Sequence, residues 1–160
     1  MQGRTYSMLS GLLLTIAVNP ILGHAQGKKP LAKPTEKRDI YPANVDAKAE
    51  IAEALANAAE TNRHVISVFG GNWCYDCHVL DAAFHSPEIA PTLNKNFVVV
   101  HVNIGEFDKN LNIADKSEVP LKKGVPTSAV LDSDGKLLFS QKRGELRRCG
   151  RWQRRMCWCF

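Results

Sequence analysis

The chain has 160 residues, of which 44% are hydrophobic, 23% charged and 8% aromatic. That is ordinary material for one globular domain, and it excludes a disordered, collagen-like or multi-pass membrane protein. A formal charge of +5 raises a nucleic-acid or anionic-membrane reading, and five cysteines, an odd number, cannot all pair within one chain.

Residues 1–25 read as an address. Arg4 precedes the apolar run 9–18, Asn19-Pro20 breaks that run, and Gly23-His24-Ala25 forms a small-residue cleavage pattern, so a secretory signal peptide ending at Ala25 is expected. The run falls short of the roughly 18–20 apolar residues that span a bilayer. The first cysteine is Cys74, far from any lipidation position. The mature protein is therefore expected to be secreted, into a bacterial periplasm, where cysteine pairs form disulfides, with no stable membrane insertion after cleavage. Residues 26–44 carry Lys28, Lys29, Pro30, Lys33, Pro34, Lys37 and Pro42 with almost no apolar periodicity, and read as an extended linker.

From 45 to 144 the pattern is that of one domain. Asp46 is a good N-cap for an alanine-rich helix over 47–59, with Ile51, Leu55 and Ala59 on one stripe. The β-branched run 64–69, ended by Gly70-Gly71, predicts a buried strand. Residues 74–84 read as helix, and Ser86-Pro87 as the start of a short further helix. A second buried strand follows at 97–103, then a polar, helical insert over 106–116. Strand 128–131, an Asp134-Gly135 hairpin turn and strand 136–140 close the order β-α-β-α-β-β. This is an α/β fold, a mixed central sheet flanked by helices.

The chemistry lies in Trp73-Cys74-Tyr75-Asp76-Cys77-His78, where a buried strand gives way to a helix. Cys74 falls at the helix N-terminus, where free N–H groups and the positive dipole end favour a thiolate and hence a nucleophile. Cys77, three residues on and on the same helix face, is placed to attack the mixed disulfide that Cys74 forms. That completes a two-electron exchange with no metal or organic cofactor.

With this strand–motif–helix context, the chain resembles the thioredoxin superfamily, in particular its secreted or periplasmic branch with a helical insert. The resemblance spans about 47–144. It rests on the W-C-x-x-C motif at 73–77, on Gly124-Val125-Pro126-Thr127 and on Asp134-Gly135 with Gly144. It implies a cis Val125–Pro126 bond lying against the cysteine pair, keeping metal away and offering backbone to an extended substrate. The substrate groove would comprise Trp73, Tyr75, Val125, Pro126 and Thr127. It further implies protein thiol and disulfide substrates and an upstream redox donor, such as a membrane reductant exporter. One departure matters: many thioredoxins bury an acid six positions before the first cysteine, and this chain has Val68 there.

Asp76 and His78 are the residues expected to tune the cysteine pKa. Asp76 is an anion between the cysteines, which disfavours the thiolate and points to a reductase or isomerase rather than an oxidase. Two rival readings exist. Cys74-x-x-Cys77-His78 also fits c-type haem attachment, with Met156, His64, His85 or His101 as second axial ligand, and the fold could serve as a non-catalytic binding module. Against haem stand the preceding strand, Trp73 and the Pro126 loop. His64 and His101 read as packed or strand-end histidines.

The tail 145–160 does not fit the domain. It concentrates Cys149, Cys157 and Cys159 with five arginines and two tryptophans, and shows no helical stripe, so the closing helix of the fold is missing or replaced. One back-translation of 147–160, read two bases later, gives EVRKMATEDVLVF, a string that suits that helix; a frameshift is therefore expected. The charge resolves accordingly. Residues 26–143 hold equal numbers of cations and anions, and the excess comes from Arg4 and the tail, so no nucleic-acid partner is expected.

Overall fold

The structure, a computed structural model, describes residues 38–142. The expected signal peptide, the first part of the linker, Gly144 and the 145–160 tail lie outside the described residues. Helix α1 spans Ala47–Thr61, with the Asp46 side chain accepting from Lys48 N–H at its start and Asn62 in the left-handed region closing it. Its buried face is Ala47, Ala54 and Ala58, with Ile51 and Leu55 packed beside them; Ala59, placed on the stripe by four-residue counting, faces outward. A helix turns 3.6 residues at a time, so a strict four-residue count drifts off the face within three turns.

Strand β1 is His64–Gly70 and is followed by helix α2, Tyr75–Phe84. The next helix does not start at Ser86. Ser86 to Ile89 form turns, and α3 runs Ala90–Asn96 with Pro91 in its first turn. Strand β2, Phe97–Asn103, and helix α4, Leu111–Lys116, come next. The helical part of the insert is thus confined to its end, because turns occupy the stretch from Gly105 onward. A single 3-10 turn at Leu121–Lys123 leads to strands β3, Thr127–Leu131, and β4, Leu137–Ser140.

The four strands form one sheet in the order β2-β1-β3-β4. β1 runs parallel to β2 and antiparallel to β3, and β3 and β4 form the hairpin, so the sheet is mixed as expected. Central β1 is buried on both faces, which is why it reads as an unbroken apolar run. β2, the other apolar run, is an edge strand and only partly buried. On one face Val65, Phe69, Val102, Ala129 and Leu131 join Ala54, Ala58 and Ile113. On the other, Ile66, Val68 and Val130 meet Leu80 of α2 and Leu93 of α3. Val130 pairs with Phe139, and Phe139 and Leu138 on β4 are each about half exposed.

Within the segment 38–44, read as linker, Ile40 and Tyr41 are packed into the domain while Arg38, Asp39 and 42–44 stay exposed. Tyr41 is fully buried and joins the larger core cluster with Ile40 against it. Asn72 holds it there: its Oδ1 accepts from the N–H groups of Ile40 and Tyr41, both at 3.0 Å, and its Nδ2 donates to Asp39 Oδ1 and to the Tyr41 carbonyl. The side-chain amide thereby uses both its donors and both its lone pairs on one strip of chain. Among the described residues no helix is long and apolar enough to cross a membrane.

Candidate functional site

The register Phe69↔Thr127 brings the end of β1 and the start of β3 to the same edge of the core. Cys74, Cys77 and Val125 share one buried cluster, and the Val125–Pro126 bond is cis. Cys74 is the N-cap of α2. Its Sγ accepts from Cys77 N–H at 3.2 Å, so it occupies the place where a helix offers free donors to an anion. Cys74 and Cys77 are joined by a disulfide with their Cα atoms 5.3 Å apart. Both are buried, Cys77 more deeply at 1% exposed.

Trp73 and Tyr75 flank the pair on the surface, 47% and 59% exposed. Trp73 is not loose: its Nε1 donates to the Gly105 carbonyl at 2.8 Å and its ring lies 5.6 Å from that of Phe107. Phe107 was not foreseen. It is half exposed in the left-handed region, and it adds a second ring from the insert to the apolar surface beside the cysteines. Val125, Pro126 and Thr127, expected in the groove, are all buried, main chain included, in the disulfide form. Asp76 lies half-buried in the first turn of α2. His78 turns the other way, its Nε2 2.9 Å from the Asn72 carbonyl, where it ties the helix to the loop before it.

Beneath the pair lies a polar cluster that sequence reasoning missed. Asp81, one helical turn beyond Cys77, is 4% exposed, with Arg38 Nη2 at 2.8 Å, His85 Nδ1 at 3.6 Å and His101 Nε2 at 3.7 Å. Burial holds His101 below its ordinary pKa, with the Asp81 carboxylate pulling the other way and His85 adding to the depression. His101 accordingly faces Asp81 as a neutral ring at neutral pH, and Arg38 supplies the charge partner. The His101 and Tyr41 rings meet edge to face, centroids 5.1 Å apart. Burial, backed by the Asp81 field, pushes the Tyr41 phenol above its usual pKa, so it remains a protonated donor. The signal for Asp81 was present: a carboxylate four residues after Cys77 shares its apolar helix face. Tyr41 carried none, standing alone in a Lys/Pro-rich run.

A mixed sheet, a strand-to-helix cysteine pair joined by a disulfide and a cis-proline before β3 define a dithiol–disulfide protein. Residues 46–133 match the thioredoxin-like family, and the chain belongs to it. Among solved structures it is similar to the disulphide isomerase of Xylella fastidiosa Temecula1, with 33% identity over 71% of this chain and 87% of that one, at a TM-score of 0.67. The oxidised C-terminal domain of Neisseria meningitidis DsbD is 20% identical over 69% of this chain and 97% of that one, with a TM-score of 0.42. A Thermus thermophilus thioredoxin is 24% identical over 74% and 91%, also at 0.42. No curated protein matches the chain. Fold, family and cysteine pair together support thiol–disulfide exchange.

Proposed function

We propose that the protein is a secreted, periplasmic thiol–disulfide oxidoreductase that acts on protein substrates as a reductase or isomerase. The observation that carries this is Cys74 as N-cap of α2 with Cys77 buried one turn behind it. The relative named as a disulphide isomerase supports the same reading. In the reduced form the Cys74 thiolate attacks one sulfur of a substrate disulfide, and the other substrate sulfur leaves as a thiolate with the bonding electron pair. Cys77, deprotonated, then attacks Cys74 Sγ and expels the second substrate sulfur, so two electrons pass to the substrate and the Cys74–Cys77 disulfide forms. In isomerisation a substrate thiolate resolves the mixed disulfide instead. An upstream dithiol donor returns the pair to its reduced state. The exposed rings of Trp73, Tyr75 and Phe107 give an extended peptide an apolar rest. The Asp76 anion in the first turn favours the reducing direction.

The test is trapping with a disulfide-bonded peptide. Cys77→Ser should accumulate a mixed disulfide through Cys74, and Cys74→Ser should lose exchange altogether; retained exchange in Cys74→Ser overturns the assignment. A potential between about −180 and −270 mV supports the direction, and one near about −120 mV makes the protein an oxidase. N-terminal sequencing of the exported protein should begin at Gln26.

A further inference from the structure

The resolving cysteine poses a problem of proton and charge handling. When the Cys74–Cys77 bond is broken by an incoming thiolate at Cys74, Cys77 Sγ leaves with the electron pair, as an anion 1% exposed to solvent. An anion in that setting needs a hydrogen-bond donor, since burial without one is strongly unfavourable. The position six residues before Cys74 holds Val68, which can neither donate nor accept.

Tyr41 lies beside the sulfur. A methyl group on Gly70 would stand 2.6 Å from Cys77 Sγ and 2.6 Å from the Tyr41 hydroxyl, so the two atoms share one point of near contact and are neighbours in space. The hydroxyl is fully buried and, among the described residues, has no hydrogen-bond partner. Buried hydroxyls without a partner are uncommon, and each calls for a reason. Here the reason lies in the redox state. In the disulfide the neighbouring sulfur is a weak acceptor, and when the Cys74–Cys77 bond breaks it leaves as a thiolate, the strongest acceptor the site can offer. The ring cannot drift away, because Asn72 clamps the Tyr41 backbone on both sides and the His101 ring meets it edge to face.

We propose that Tyr41, carried in by the N-terminal arm, donates its O–H to Cys77 Sγ in the reduced protein and so stabilises the dithiol relative to the disulfide. It acts on the potential and on the Cys77 thiolate, and takes up no electrons itself. The proposal rests on the Cys74/Cys77 exchange reading. With Val68 at that position β1 supplies no polar group for the second cysteine, and the arm supplies a hydrogen-bond donor.

Tyr41→Phe keeps the ring and removes only the hydroxyl. In glutathione equilibration of the full chain, the variant should favour the disulfide about tenfold more than the parent, a potential lower by about 30 mV. In a Cys74→Ala background, thiolate absorbance should show the Cys77 pKa rising by about one unit when Tyr41→Phe is added. A potential within twofold of the parent in equilibrium constant, together with an unmoved Cys77 pKa, overturns the proposal. Should Tyr41→Phe fold poorly, NMR of the parent decides: the Tyr41 hydroxyl proton should move downfield on reduction, and an unchanged shift overturns the idea. A parent that fails to equilibrate with glutathione at all refutes the exchange reading instead, which keeps the two failures apart.

Discussion

Gly70 is where the arm, the sheet and the redox pair come closest, and Gly70→Ala tests whether that approach is as tight as the structure has it. The added methyl would meet Cys77 Sγ at 2.6 Å, Tyr41 Oη at 2.6 Å and Tyr41 Cζ at 2.7 Å. Ordinary contact is about 3.5–4.0 Å, so three atoms must each yield by about 1 Å. Two of them belong to a fully buried ring held by Asn72, and the third is bonded to Cys74 at the helix start. With no flexible end to give way, the cost falls at the upper part of the overpacking range, about 2–3 kcal/mol. For a domain of this size that lowers Tm by roughly 8–20 °C. Reduction frees Cys77 to change rotamer, which relieves one of the contacts. The reduced variant should therefore be less destabilised than the oxidised one, and glutathione equilibration should shift toward the dithiol, opposite to the shift expected for Tyr41→Phe. Urea unfolding of both redox states gives the answer. An oxidised variant within about 0.5 kcal/mol of the parent, or equal losses in the two states, would refute the reasoning, since surface-like substitutions stay in that range.

Two further predictions address the surroundings of the pair. Asn72→Ala removes the side-chain acceptor of the Ile40 and Tyr41 N–H groups and the bond to Asp39, leaving Asn103 Nδ2 on the Tyr41 and Pro42 carbonyls, and should cost about 2–3 kcal/mol while speeding amide exchange at Ile40 and Tyr41; unchanged exchange at those amides would show that the Asn72 bonds do not dock the arm. His101 has its folded pKa held below 6.5, so as pH falls the unfolded chain takes up that proton first and stability drops from about pH 7 downward. His101→Phe should flatten the fall in urea midpoint between pH 7.5 and 5, and an equal fall in parent and variant would exclude His101 as its source.

Much of the fold was legible because its elements speak in local patterns. Asp46 before an alanine-rich run, the unbroken apolar run from Val65 to Phe69, and Asp134-Gly135 between two apolar segments each name their element unaided. The misplacements are also physical. Ser86-Pro87 has the composition of a helix start, yet the backbone spends those residues on turns and begins α3 at Ala90. β2 is as apolar as β1 but takes the edge, because burial on both faces is decided by strand order, and order is a property of the whole sheet.

The cysteine pair was legible for the same local reason: a strand, two glycines and a helix place Cys74 at a helix N-terminus whatever the rest of the chain does. What surrounds the pair was not, since it is assembled from distant positions. Tyr41 and Arg38 arrive from a segment whose lysines and prolines deny it any periodicity, and it is Asn72, Asn103 and, one turn past Cys77, Asp81 that hold the segment in place. A docked arm of this kind makes the stability of the redox pair depend on residues before the first helix. Removing the segment that ends at Tyr41 would open the buried sulfur to water and leave Asp81 without its guanidinium. The arm is therefore part of the domain in energetic terms, although composition alone marks it as a leader.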